Sequence, residues 1–217
     1  MYQKCLKRAL DLLLSAIGII VISPLLVVIW IVVLCDVGFP AIFKQERVGY
    51  KERTFRILKF RTMTNNRDAE GELLPDSKRV TKIGSFLRHS SLDELPQLLN
   101  ILAGDMAIVG PRPLPPSYLP YYYPEERLRH SVRPGMTGLA QVKGRTNLTW
   151  NRKLELDIQY VRNLSFGLDC RIVLQTIGKV LHKSDVRDSA IEGPLSECRK
   201  KQSAAYGEGE QSGSITN

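Results

Sequence analysis

From Leu12 to Cys35 the chain carries no charged residue. A helix of about 24 residues at about 1.5 Å rise per residue reaches roughly 36 Å, longer than the hydrocarbon core of a bilayer. The segment is therefore predicted to lie in a membrane. A cleaved signal peptide would use Lys4, Lys7 and Arg8 as its basic start, but the apolar run is too long and offers no small-x-small cleavage site. Val32-Val33-Leu34-Cys35 likewise lacks the small residue that precedes a lipidated cysteine.

Basic residues flank both ends of the run: Lys4, Lys7 and Arg8 before it, Lys44, Arg47, Lys51, Arg53 and Arg56 after it. The positive-inside rule puts both flanks in the cytoplasm. Ser23-Pro24 lies midway, where the proline removes the helical bond to Ile20 and presses its ring on that carbonyl, which kinks or breaks the helix. A re-entrant helix broken at Ser23-Pro24 satisfies both observations, and a kinked single crossing is its alternative.

The rest of the 217 residues, in a chain that is 43% hydrophobic, suffices for one ordinary domain with a real core. Cys5, Cys35, Cys170 and Cys198 are scattered, with no His at ligand spacing, so neither zinc nor a disulfide framework is indicated and a reducing, cytosol-facing location fits. Ala41-Ile42-Phe43 and Thr54 to Leu58 alternate around Gly49, which predicts a hairpin. Thr64 to Lys82 reads as a mobile surface loop, and Pro111 to Pro124 as a rigid irregular one. Ser91 to Leu102 is predicted as a helix stopped by Gly104. Trp150 to Leu181 reads as two amphipathic helices broken near Ser165-Phe166-Gly167, the second either resting its basic edge on an anionic surface or serving as a core helix. From Ser184 onward apolar residues are scarce, which predicts a disordered tail. The expected fold class is mixed α/β, mostly helical. Its expected parts are a re-entrant membrane helix over residues 1–36, a cytoplasmic catalytic domain resting on the membrane over 37–183, and a tail over 184–217.

With 31 Lys and Arg against 22 Asp and Glu the net charge is +9, which draws the chain toward nucleic acid, lipid headgroups or phosphorylated substrates. Ser91-Leu92-Asp93-Glu94 fits a capping box, with Ser91 at the N-cap and Glu94 reaching back from N3. It equally fits a catalytic carboxylate. Asp93 at a helix N-terminus stays ionised beside a bound phosphate, and a carboxylate can attack phosphorus while a divalent cation offsets the repulsion. Ser90 and the cation Arg88 lie just upstream. Basic residues beside glycine or proline recur in Gly110-Pro111-Arg112-Pro113, Arg133-Pro134-Gly135 and Lys143-Gly144-Arg145, and together with Lys59-Phe60-Arg61 they favour an anionic substrate. Neither a P-loop nor a Rossmann glycine pattern occurs. His89, His130 and His182 are dispersed and read as structural.

These stretches resemble the bacterial sugar transferases, or monotopic phosphoglycosyl transferases. The resemblance is carried by Lys59-Phe60-Arg61-Thr62-Met63, by Ser91-Leu92-Asp93-Glu94-Leu95-Pro96-Gln97-Leu98-Leu99-Asn100, by Val109-Gly110-Pro111-Arg112-Pro113 and by Arg133 through Val142. It extends to about residue 183 and is nearest to the small, single-domain, PglC-like members. It implies transfer of a phosphosugar from a UDP-sugar to undecaprenyl phosphate, with release of UMP, at the cytoplasmic face of the bacterial inner membrane. It implies further that Asp93 is the nucleophile of a covalent phosphosugar intermediate, that Mg²⁺ bridges Asp93 to the diphosphate, and that Glu94 orients groups or handles the acceptor's proton. Lys59, Arg88, Arg112, Pro113, Arg145 and Asp157 fall at positions of the substrate site. The implied partners are UDP-sugar, undecaprenyl phosphate and membrane lipids. A membrane-tethered basic module that binds acidic lipid or nucleic acid without catalysis is the alternative, although RNA-binding signatures are absent.

Overall fold

Helix α1 (Lys7–Val37) opens the fold in the computed structural model, which describes Tyr2 and residues 6–144, 148–181 and 192–200. The helix continues through Pro24, so of the kink or break expected at Ser23-Pro24 the break does not form, while a kink is compatible with a continuous helix. Pro24 cannot donate to the Ile20 carbonyl, but the Ser23 hydroxyl donates to that oxygen at 2.8 Å and replaces the missing bond.

Both ends of α1 are tied to the same body of protein. At the N-terminal end the Lys7 ammonium donates to Asp169 at 2.7 Å, and the hydroxyls of Tyr2 and Tyr160 donate to the same carboxylate. Asp11 accepts the Ile108 backbone N–H at 3.1 Å, and Arg8 donates to the Ile101 carbonyl at 2.8 Å. At the C-terminal end Ile29 and Val33 are buried with Ala41, Phe60 and Leu87, and the Thr81 hydroxyl donates to Asp36. Between these anchors Ile20 and Val21 are 73% and 70% exposed, which leaves the apolar middle of the helix uncovered.

The predicted hairpin forms as β1 (Ile42–Val48) antiparallel to β2 (Thr54–Phe60), with Ile42 opposite Phe60 and Val48 opposite Thr54. The 64–81 stretch is largely irregular, contains one helical turn α2 (Asp76–Arg79), and leads into α3 (Lys82–His89), whose first turn is capped by the Thr81 hydroxyl. The predicted helix from Ser91 to Leu102 divides into a single 3-10 turn at Leu92–Glu94 and α4 (Gln97–Ala103). Pro96 is the cause: it has no N–H for the Leu92 carbonyl, which the Leu95 N–H takes instead. Gly104 ends α4 in a left-handed conformation, as expected of a helix-stopping glycine.

Strand β3 (Ala107–Val109) pairs in parallel with β4 (Gly135–Thr137). A side chain at Gly135 would put Cβ 2.0 Å from the Gly110 nitrogen, so these two glycines let the flanking motifs cross backbone on backbone. The irregular proline-rich region from Pro111 to Pro124 contains one 3-10 stretch, Pro116–Tyr121, and a second, Pro124–Ser131, follows it. Helices α5 (Leu139–Lys143), α6 (Trp150–Arg162) and α7 (Phe166–Leu181) complete the core around Val109, Leu156, Tyr160 and Ile172. The break between α6 and α7 falls where the sequence places it. On α7 Ile172 is fully buried while Ile177 is 51% exposed.

Residues 195–200 are helical and docked on the domain, with Leu195 fully buried beside Tyr122 and Leu154. This corrects the tail expectation for that stretch, since one leucine and one arginine suffice to seat a short segment of otherwise polar composition. Residues 192–194 lead into this segment, and the rest of the expected tail, 184–191 and 201–217, lies outside the described residues.

Candidate active site

Strand β2 ends in Lys59 and Phe60, and its edge is stitched to α4 by Asn100, whose carbonyl oxygen accepts from Leu58 N at 2.9 Å and whose amide donates to the Arg56 carbonyl. This bond pair sets the Asp93-Glu94 turn beside Lys59. The Lys59 ammonium lies 2.6 Å from Glu94 Oε1 and 4.0 Å from Asp93 Oδ2. Arg112, presented by the loop after β3, donates to the same Glu94 oxygen at 2.8 Å.

The capping-box reading does not hold. Ser91 stands in a left-handed conformation with no side-chain cap bond, and the Glu94 carboxylate turns away to the two cations. Nor is Asp93 held ionised by a helix N-terminus, because it sits inside a single 3-10 turn and the next α-helix begins only at Gln97.

Asp93 and Glu94, adjacent in sequence, are driven to opposite protonation behaviour. Burial pushes the Asp93 carboxyl up to about 6, the charge of Glu94 adds to the rise, and Lys59, Arg112 and Arg88 oppose it. For Glu94 burial acts in the same upward direction, but Arg112 and Lys59 in direct contact outweigh it and bring the carboxyl down to about 2. Glu94 is thus a permanent anion that orients two cations. Asp93 is a buried carboxylate whose one ion-pair distance among the described residues is the long one to Lys59.

Asp93, Glu94, Lys59, Arg88, Arg112 and Asp157 line one cavity of about 1300 Å³. The guanidinium of Arg88 is fixed by donation to the Thr62 hydroxyl at 2.8 Å. Asp157 serves differently from a free site carboxylate: it is buried and paired with Arg129 at 2.8 Å. Arg129 in turn donates to the Tyr122 hydroxyl and to the Arg112 backbone carbonyl, so the pair braces the loop that presents Arg112. Pro113, in this loop, is buried and lies outside the cavity lining. Arg145 lies outside the described residues. Arg133 is not part of the cavity; its guanidinium holds the Gly104 carbonyl at 2.8 Å and stacks on Tyr50.

Sequence reasoning missed Arg129, Trp150 and Lys153, which also line the cavity. Arg129 sits in the polar run Glu125-Glu126-Arg127-Leu128-Arg129, where nothing distinguishes it from its surface neighbours. The one available signal was helical phase, since Trp150, Lys153 and Asp157 share a face of α6. The assembled site offers one poised carboxylate, one fixed anion and a ring of cations, suited to holding a phosphorylated ligand against a nucleophile.

The bacterial sugar transferase family profile matches residues 2–183. The chain is 46% identical over 185 residues to the uncharacterized sugar transferase EpsL of Bacillus subtilis, covering 85% of this chain and 91% of that protein. It is 40% identical to a UDP-glucose:undecaprenyl-phosphate glucose-1-phosphate transferase of Klebsiella pneumoniae, over 80% of this chain but 39% of that longer protein. It is 39% identical to the enzyme of the same name from Caulobacter vibrioides, over 81% of this chain and 69% of that one. The Asp93-Glu94 turn and its cations therefore sit inside the matched region, and the chain belongs to the bacterial sugar transferase family.

Proposed function

We propose that this chain is a phosphoglycosyl transferase that moves a phosphosugar from a UDP-sugar to undecaprenyl phosphate and releases UMP. The observation that carries the reading is the Asp93-Glu94 pair, in which one carboxylate is neutralised by Lys59 and Arg112 while its neighbour is left free to react. The names of the Klebsiella and Caulobacter relatives give the same substrate pair.

In this reading the Asp93 carboxylate attacks the β-phosphorus of the donor. The bond from that phosphorus to the bridging oxygen breaks, and UMP leaves with the oxygen. A phosphate oxygen of undecaprenyl phosphate then attacks the same phosphorus and the Asp93 carboxylate departs, giving undecaprenyl-diphosphate-sugar. Arg112, Lys59 and Arg88 bind the diphosphate and stabilise the charge gathered on its oxygens in both displacements. Glu94 keeps Lys59 and Arg112 aimed and takes no proton, since its carboxyl stays ionised through the neutral range.

In this reading Asp93 would hold Mg²⁺ together with the diphosphate. Among the described residues no three His, Cys, Asp or Glu side chains cluster, and one carboxylate completed by diphosphate oxygens is a donor set that Mg²⁺ accepts. When bound, the ion offsets repulsion between Asp93 and the diphosphate.

We also read α1 as a monotopic, re-entrant anchor on the cytoplasmic face of the inner membrane. Its two ends are tied to one domain through Lys7 and Asp11 at one end and Ile29 and Val33 at the other, an arrangement that a helix with its ends on opposite sides of a bilayer cannot keep. The deciding experiment is UMP release from a panel of UDP-sugars with and without undecaprenyl phosphate. Release with at least one donor that is lost in Asp93→Asn, together with a phosphosugar adduct by intact mass when acceptor is omitted, is expected. Activity without any adduct on a trapping time scale defeats the covalent route.

A further inference from the structure

The segment 192–200 lies beyond the residues that match the family, yet it packs directly behind the wall of the cavity, on Trp150 and Leu154. Glu192 accepts the backbone N–H of Trp150 at 2.6 Å and so satisfies a free donor at the start of α6. The Gly193 carbonyl accepts the indole N–H of Trp150 at 2.8 Å. Leu195 is fully buried against Tyr122 and Leu154, and Arg199 is held by Asn151 at 2.9 Å and by Glu126, with its guanidinium 4.1 Å over the Tyr123 ring. What the segment grips is therefore the first turn of α6. Trp150, Lys153 and Leu154 from that turn line the same cavity as Asp93.

The Lys153 ammonium stands 4.6 Å over the Trp150 ring, so the wall presents an indole and a cation together, a combination with affinity for the anionic and aromatic parts of a nucleotide. Along α6 this wall is about 10 Å, two turns, from Asp157, which braces Arg112 through Arg129. The wall at Trp150 and the Arg129–Asp157 brace are thus distinct places along α6 in one cleft.

We propose that residues 192–200 are a positioning element for the sugar nucleotide: by clamping Trp150 and the first turn of α6 they fix the wall that meets the nucleotide part of the donor. This rests on the transferase reading above, and a binding measurement separates the two. Trp30 and Trp150 are the only tryptophans of the chain, so W30F leaves Trp150 as the sole indole of the full-length protein.

In that background Leu195→Asp and Glu192→Ala are compared in detergent by Trp150 emission, by titration with UDP and with UDP-sugar, and by steady-state kinetics. In the parent, UDP alone is expected to change Trp150 emission. Both variants are expected to red-shift the emission and to raise the KM and the Kd of the nucleotide roughly fivefold or more, the size of one lost buried contact. Their kcat should stay within about twofold and the KM for undecaprenyl phosphate should not move. Glu192→Ala decides the matter if Leu195→Asp lowers the melting temperature, since Glu192 is only partly buried. A red-shifted Trp150 with unchanged nucleotide KM and Kd overturns the proposal, as does a loss confined to kcat or an emission change that requires the sugar. Absence of UMP release from every donor defeats the transferase reading alone, and the UDP titration of Trp150 still tests the clamp.

Discussion

Asp93 and Glu94 differ by one methylene and one position, and the protein separates them by charge placement. Because burial raises Asp93 to about 6, the rate is expected to fall about tenfold per pH unit below that value and to level off above it, which a pH profile of kcat/KM checks. The same shift has a stability consequence. A carboxyl whose folded-state value is raised contributes stability that is fully present below its ordinary range near 4 and is lost as pH rises through about 6. The advantage in Tm of Asp93→Asn over wild type should therefore grow from pH 4 to pH 7, by up to about 3 kcal/mol in free energy, and a difference that is flat with pH would contradict the burial of Asp93. Glu94 is the partner of two cations rather than a cap, so Glu94→Gln should cost well over tenfold in activity. Arg112→Lys should lose most activity too, since an ammonium keeps the charge without the planar fork; wild-type kinetics in either variant would reject the assignment.

At the scale of elements, one buried ion pair joins α6 to the 3-10 stretch Pro124–Ser131, and Arg129 carries it on to the loop after β3 through the Arg112 carbonyl. Arg129 and Asp157 are both nearly inaccessible, and removing one partner leaves a buried charge behind. Asp157→Asn is expected to destabilise the fold by about 3–5 kcal/mol in denaturant unfolding and to weaken donor binding through Arg112. A variant of unchanged stability but no activity would instead make Asp157 a group that acts on substrate. The hairpin, α6, α7 and the glycine stop of α4 were legible because local spacing and turn chemistry decide them. The orientation of α4 was not. Its polar Gln97 and Asn100 face inward while Leu99 is half exposed, the reverse of an amphipathic helix on an aqueous surface, because Asn100 satisfies the edge of β2.

For the whole molecule the question is on which side of the bilayer the two ends of α1 lie. With the four native cysteines replaced and a single Cys at Gln3, a membrane-impermeant reagent should label only from the cytoplasmic side. Labelling of intact cells from the periplasm would establish a true crossing and overturn the re-entrant reading. Extraction should need detergent and not high salt, since the uncovered middle of α1 is apolar.

The sequence by itself determined that a long apolar helix precedes a basic domain, that the chain is mostly helical with a hairpin, and that Asp93, Glu94, Lys59, Arg88 and Arg112 were the residues to look for in one cavity. Those properties follow from composition over a window, from local turn preferences and from motifs longer than chance allows. Only the tertiary structure decided that the helix continues through Pro24, because the rescue of the Ile20 carbonyl depends on the Ser23 rotamer. Only it paired Asp157 with Arg129, set Asp93 and Glu94 apart in acidity, and seated Leu195 beside Trp150. Each of these rests on contacts between residues distant in sequence or on burial, and neither quantity is written in the spacing of a single chain.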